Sequence, residues 1–140
     1  MTWLTSAFLS ALFAALTSIL AKIGIKNINS NLATAIRTIV IVFFAFGIVI
    51  YEGHLKEISQ ISKTSLLFLI LSGISTGLSW LFYFYALKIG EASKVVPIDK
   101  LSLVLSIILA AIILKEKITL PVIFGSILMT IGALIIALIK

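Results

Sequence analysis

Gly90-Glu-Ala-Ser-Lys-Val-Val-Pro-Ile-Asp-Lys-Leu-Ser-Leu-Val-Leu-Ser106 sets a proline, an acid and a base inside sequence that is apolar on both sides. Asp99 and Lys100 fall a turn or two within that apolar run, where a charged side chain costs on the order of 2.5–3.5 kcal/mol on insertion scales. Charges in such a place need a partner, a water-filled cavity or a function. The flanking sequence suits lipid: 61% of the chain is hydrophobic and 11% charged, with a mean hydropathy of +1.29, whereas a soluble domain is roughly a quarter charged. The chain therefore reads as an all-α polytopic membrane protein.

At about 1.5 Å rise per residue, some 20 residues cross a hydrocarbon core of roughly 30 Å. Five segments reach that length, approximately Leu4–Ile25, Leu32–Tyr51, Ser65–Leu87, Val95–Leu114 and Thr119–Ile139. Polar residues punctuate the boundaries: Asn27 to Asn31 before the second, Ser62 to Ser65 before the third and Gly90 to Ser93 before the fourth. Thr119 and Pro121 give the fifth a cap and a proline in its first turn. The longest connection is the amphipathic piece from Glu52 to Lys63, so a single transmembrane domain over residues 1–140 is expected, with no extramembrane module. The first segment ends in an Ala-rich stretch resembling a cleavage site. No Lys or Arg precedes it, and it is expected to be a retained span.

Eleven basic residues face five acidic ones, for a formal net charge of +6. They are scattered in ones and twos between apolar runs, which argues against nucleic acid and for anchors at the headgroups of the bilayer. The absence of cysteine excludes a disulfide, a thiolate nucleophile and a Cys-type metal site, and the one histidine, His54, sits in a polar connection. No Ser-His-Asp set, P-loop or dinucleotide fingerprint is found, so neither an enzyme nor a metal or other cofactor is expected.

An odd number of spans puts the two termini on opposite faces. One face collects Lys22, Lys26, Lys88, Lys94 and Lys140, the other Lys56, Lys63, Lys115 and Lys117, nearly a tie; Arg37 and Lys100 tip it slightly towards a cytoplasmic C-terminus. So weak a bias predicts a chain able to insert either way. Small residues at close spacing, which let helix backbones approach in lipid, recur as Ala7, Ala11 and Ala15, as Gly73 and Gly77, as Ser126, Thr130 and Ala133, and as Gly125 with Gly132. They are read as packing positions.

Hydroxyls form a second set of stripes. Ser72, Thr76, Ser79 and Tyr83 share one face of the third span, and Asp99, Ser102 and Ser106 one face of the fourth. Such faces either bond their own helix and glue neighbours, or line a cavity. Arg37 is the seventh residue from Asn31 and Asp99 the seventh from Ser93, on spans that run the same way. Both should sit roughly 9 Å inside their helix starts, at a depth where they could share a charge-assisted hydrogen bond. Lys100 is a competing partner for Asp99, and Arg37 and Lys100 are long enough to snorkel to the headgroups instead. In the aromatic run Trp80 to Tyr85, Tyr83 and Tyr85 read as belt residues and the deeper Trp80 as a pocket wall.

Taken together, Ala21-Lys-Ile-Gly-Ile-Lys26, Asn31-Leu-Ala-Thr-Ala-Ile-Arg-Thr38, Gly77-Leu-Ser-Trp80 with Tyr83, Ala86-Leu-Lys88 and above all Ala92-Ser-Lys-Val-Val-Pro-Ile-Asp-Lys-Leu-Ser102 resemble a single EamA domain of the drug/metabolite transporter superfamily. Leu114-Lys-Glu-Lys117, Gly125 and Gly132 complete the likeness, which is nearest to small five-helix bacterial and archaeal members. The resemblance implies half of a ten-helix inverted-repeat fold, and hence an antiparallel homodimer with its cavity between protomers. It implies a secondary transporter of small metabolites, exporter in type, working by alternating access. Arg37, Ser79, Trp80, Tyr83, Asp99, Lys100, Ser102 and Ser106 are the candidate binding and gating residues, with Gly73, Gly77, Pro97, Gly125 and Gly132 shaping the helices. The alternative is a non-transporting structural or regulatory subunit that pairs with another half-transporter.

Overall fold

The computed structural model describes residues 2–138, which are helical throughout apart from short connections. Six α-helices follow one another: α1 (Trp3–Gly24), α2 (Ser30–Glu52), α3 (Lys63–Ile89), α4 (Ala92–Asp99), α5 (Leu101–Leu109) and α6 (Leu120–Leu138). A 3₁₀ helix, His54–Gln60, joins α2 to α3, and a π-helical turn, Ala110–Leu114, extends α5. With α4, α5 and the π turn taken as one run, five segments of 19 to 27 residues are long and apolar enough to cross a membrane. These are the five expected spans. Ile139, the expected end of the last one, and Lys140, counted among the loop cations, lie outside the described residues.

Backbone donors at helix ends have no water to bond in a bilayer, so the caps matter. Asn29 accepts from the N–H groups of Asn31 at 2.8 Å and Leu32 at 3.4 Å. Ser62 Oγ accepts from Ser65 N–H at 3.0 Å, and Thr2 Oγ1 from Thr5 N–H at 3.3 Å. Capping draws polar residues into the first turn, so α2, α3 and α4 begin two or three residues before the hydropathy edges. Thr119 caps α6 with its carbonyl, which receives Val122 N–H at 3.0 Å and Ile123 N–H at 3.2 Å. At the other end of α2, Gly53 adopts φ 79°, a left-handed closure that disfavours any side chain. Lys115 closes the π turn in the same conformation, φ 56°, without that freedom.

The fourth span was expected to be continuous, but it breaks at Lys100. Pro97 inside α4 has no N–H to give, and its ring opposes the carbonyl of Ser93 one turn back. Lys100 then takes φ −69°, ψ −9°, and Leu103 N–H bonds its carbonyl at 3.0 Å in a tightened turn. Asp99 and Lys100 thus stand at a joint rather than on a straight rod.

Contacts divide the chain into two compact units, Ala21–Lys88 and the residues up to Leu20 together with those from Ile89 onward. In the first, Ile25, Phe84 and Leu87 are buried, with Ser30 and Thr34. Lys22 Nζ donates to the carbonyl of Leu87, fastening the last turn of α1 to the last turns of α3. In the second, α4 and α5 pack on α6, where Ala133 is buried. Most large apolar side chains point outward, Phe43 and Phe44 being 75% and 72% exposed. Surface of that kind is at home only against lipid or another protein.

Candidate functional site

Arg37 is the group that the helices hold with most care. It stands seven residues after Ser30, the first residue of α2, and Phe84 and Trp80 stand five and nine residues before Ile89, the last of α3. The guanidinium carbon lies 4.1 Å from the centroid of the Phe84 ring and 5.9 Å from that of Trp80. Its ring partners therefore bracket its own depth in the span. The side chain does not snorkel outward along its stem; it turns sideways onto aromatic faces, whose quadrupole attracts a cation. Phe84 is 1% exposed, so the attraction acts in a desolvated place, where it is worth about 2 kcal/mol.

Neighbouring residues make this slot stiff. Tyr83 meets Phe84 edge to face at 5.3 Å between centroids. One turn before Arg37, Thr34 is buried and its hydroxyl bonds the carbonyl of Ser30 at 2.9 Å; Thr38 repeats the bond to Thr34. These hydroxyls are spent on their own helix. Phe84 is the residue that reading the sequence missed: in its aromatic run Tyr83 and Tyr85 read as belt residues and Trp80 as a pocket wall, and Phe84 was given no role. Its signal was available: Trp80 and Phe84 are four apart, hence on one face of α3, at depths on either side of Arg37.

The other unit holds Asp99, Lys100, Ser102 and Ser106. Asp99 Oδ2 and Lys100 Nζ approach to 3.4 Å, so the competing partner foreseen for Asp99 is the one beside it. The pair is long and its side chains are 32% and 54% exposed, which makes it a weak restraint. Ser106 donates to the carbonyl of Ser102 at 2.8 Å and lines a cleft with Ala110, Glu116 and Lys117. A groove of about 300 Å³ between α5 and α6 is walled by Val104, Ile107, Ile123 and Ile127, with Ser126 and Thr130 as its polar residues. Both of these hydroxyls bond carbonyls of α6, so the groove presents little to a polar solute. On α3, Thr76 likewise bonds Ser72, and Ser79 is exposed.

At Gly73, Gly77, Gly125 and Gly132, an added Cβ would meet no atom within 4 Å. Among the described residues these glycines bring no helix into close approach. Pro97 works differently, through the joint it produces in the fourth span.

A chain of five apolar spans with a cation held on aromatic rings and a proline-broken acidic joint is a helical, multi-pass membrane protein. The profile of the EamA-like transporter family matches residues 1–138, and the chain belongs to that family. It is similar to an uncharacterized transporter of a Sinorhizobium species, 47% identical over 135 residues that make up 96% of each chain. It is also similar to an uncharacterized protein of Methanocaldococcus jannaschii, 31% identical over 83 residues, 59% of this chain and 61% of the relative. No solved structure gives a significant match. The protein is a multi-pass protein of the cell membrane and a membrane transporter of the drug/metabolite type.

Proposed function

We propose that the protein is a secondary transporter of small metabolites, an exporter in type, that works by alternating access as an antiparallel homodimer. The observation that carries this reading is Arg37, an always-charged group held inside an apolar span on Phe84 and Trp80. Intramembrane charge kept off the headgroups belongs to a pathway rather than to an anchor. One chain brings five spans, half of a ten-helix carrier, and nearly balanced loop lysines allow two copies to insert in opposite senses. The four glycines at which an added Cβ would meet nothing within 4 Å among the described residues suit a partner's backbone.

In this mechanism Arg37, Ser79, Trp80, Tyr83, Asp99, Lys100, Ser102 and Ser106 are the substrate-binding and gating residues. Arg37 and Asp99 each lie seven residues beyond the first residue of their helix. Asp99 acts as a gate, and the neighbouring Lys100 is the partner that holds it when the gate is open. The joint at Lys100 gives the fourth span a place to bend, and two protomers related by a two-fold axis in the membrane plane make the outward and inward states equivalent.

Proteoliposomes containing only this chain test the reading. Asp99→Asn should abolish substrate counterflow while chemical cross-linking still shows a dimer. Full counterflow in that variant removes the gate, and none in the parent protein removes the carrier.

A further inference from the structure

Among the described residues, one buried side-chain nitrogen or oxygen lacks a hydrogen-bond partner, and it is Nη1 of Arg37. A guanidinium carries five N–H donors and no acceptor, and a ring face satisfies its charge without accepting those protons. Phe84 and Trp80 therefore hold the cation and leave a donor unanswered.

The surrounding charge has one sign. Within Ala21–Lys88, the stretches that meet at this end are residues 21–38 and 76–88; they contain Lys22, Lys26, Arg37 and Lys88 and no Asp or Glu. The acids of this unit, Glu52 and Glu57, lie at and beyond the far end of α2. Lys22 is committed to the carbonyl of Leu87. A cationic solute would meet no carboxylate of this unit at this end and would have to displace Arg37 from its rings. A carboxylate or phosphate would supply the missing acceptor, and its planar or tetrahedral oxygens suit the guanidinium fork.

We propose that Arg37 is the anchor for an anionic group of the transported solute, so that the substrates are small organic anions bearing a carboxylate or phosphate. The inference rests on the carrier reading and names its substrate class. Phe84 and Trp80 act as positioning residues that hold the fork at a fixed depth.

Arg37 is the chain's one arginine, so phenylglyoxal, which modifies guanidinium groups, reports on it alone among the side chains. The parent protein in liposomes is treated with phenylglyoxal, and the adduct at Arg37 is followed by peptide mass spectrometry. Succinate, inorganic phosphate and tetraphenylphosphonium chloride are compared with sodium chloride at equal ionic strength. At ten times its dissociation constant, succinate or phosphate should slow modification about tenfold, because the free fraction falls as 1/(1 + [L]/Kd). Equal rates in all four salts, protection by tetraphenylphosphonium alone, or an Arg37 that is never modified each overturns the proposal.

Uptake of labelled succinate, phosphate and tetraphenylphosphonium into the same liposomes separates the two ideas. Protection by an anion without uptake of any probe leaves the anion site standing and overturns the carrier. Uptake of tetraphenylphosphonium faster than into protein-free liposomes, without anion protection, overturns the substrate class and leaves the carrier.

Discussion

Replacing Phe84 with leucine and Arg37 with methionine, singly and together, measures directly the contact on which the site depends. Each single change carries its own cost. Phe84→Leu removes part of a side chain that is 1% exposed, and an imperfect volume match of this kind costs on the order of 1 kcal/mol. Arg37→Met removes a charge from the span, which on insertion scales favours the variant by about 2.5–3.5 kcal/mol. Neither number isolates the pair, but the double-mutant cycle cancels both. What survives is the attraction of the guanidinium for the ring. At 4.1 Å and in a desolvated place, a coupling of about 1–2 kcal/mol is expected. Trp80→Leu in the same cycle should show less, because its centroid is 5.9 Å away, at the edge of the effective range. The assay is unfolding in mixed micelles by SDS titration, followed by far-ultraviolet circular dichroism. A Phe84 coupling below about 0.5 kcal/mol, within the scatter of additivity, would refute the slot, and a Trp80 coupling larger than that of Phe84 would refute its geometry.

Gly53→Ala should destabilise the chain by about 1–2 kcal/mol in the same titration, a purely torsional cost because nothing lies within 4 Å of the new Cβ; Lys115→Gly, relieving the same conformation, should stabilise it by a similar amount. Changing Gly73 and Gly77 together to leucine should leave the monomer at least as stable, since glycine is about 1 kcal/mol worse than the best helix formers. Energy transfer between labelled copies in liposomes should nevertheless show association weakened by about tenfold or more, or 1.4 kcal/mol; unchanged transfer would place the dimer contact elsewhere. Pro97→Ala should restore the bond to Ser93 and raise stability by up to about 3 kcal/mol while slowing counterflow, and unslowed counterflow would show that the joint at Lys100 is not used in transport.

The spans were legible because they rest on composition and length, which a bilayer reads almost without regard to detail. The caps were nearly so: Asn29 and Ser62 lie inside the polar clusters that mark those boundaries. The break at Lys100 was not, although Pro97 was in plain view. A proline six residues into a helix can be absorbed as a mild bend or can split the rod, and the choice depends on how neighbouring turns re-satisfy the backbone. Phe84 stayed hidden for another reason. Hydropathy gives every phenylalanine in a span the same value, whereas its role here comes from a residue 47 positions earlier in the chain (84 − 37) that shares its depth. The hydroxyl stripes were visible, but only coordinates show that Thr76 and Ser106 bond their own helices.

The magnitudes bear on why this charge can both stay and move. Carrying Arg37 into the span costs about 2.5–3.5 kcal/mol, and the aromatic slot returns about 2 kcal/mol. The slot therefore offsets most of that cost and leaves roughly 1 kcal/mol uncompensated. A deeper well, such as a fully bonded buried ion pair whose rupture costs about 3–5 kcal/mol, would lock it. A shallower one would let it swing to the headgroups. A ligand shifts an equilibrium only by its differential affinity for the two states, and a tenfold preference supplies 1.4 kcal/mol. That is the size of the residual, so an anion with so modest a preference for an Arg37 held on Phe84 offsets it, and the solute itself completes the stabilisation of the charge in the span.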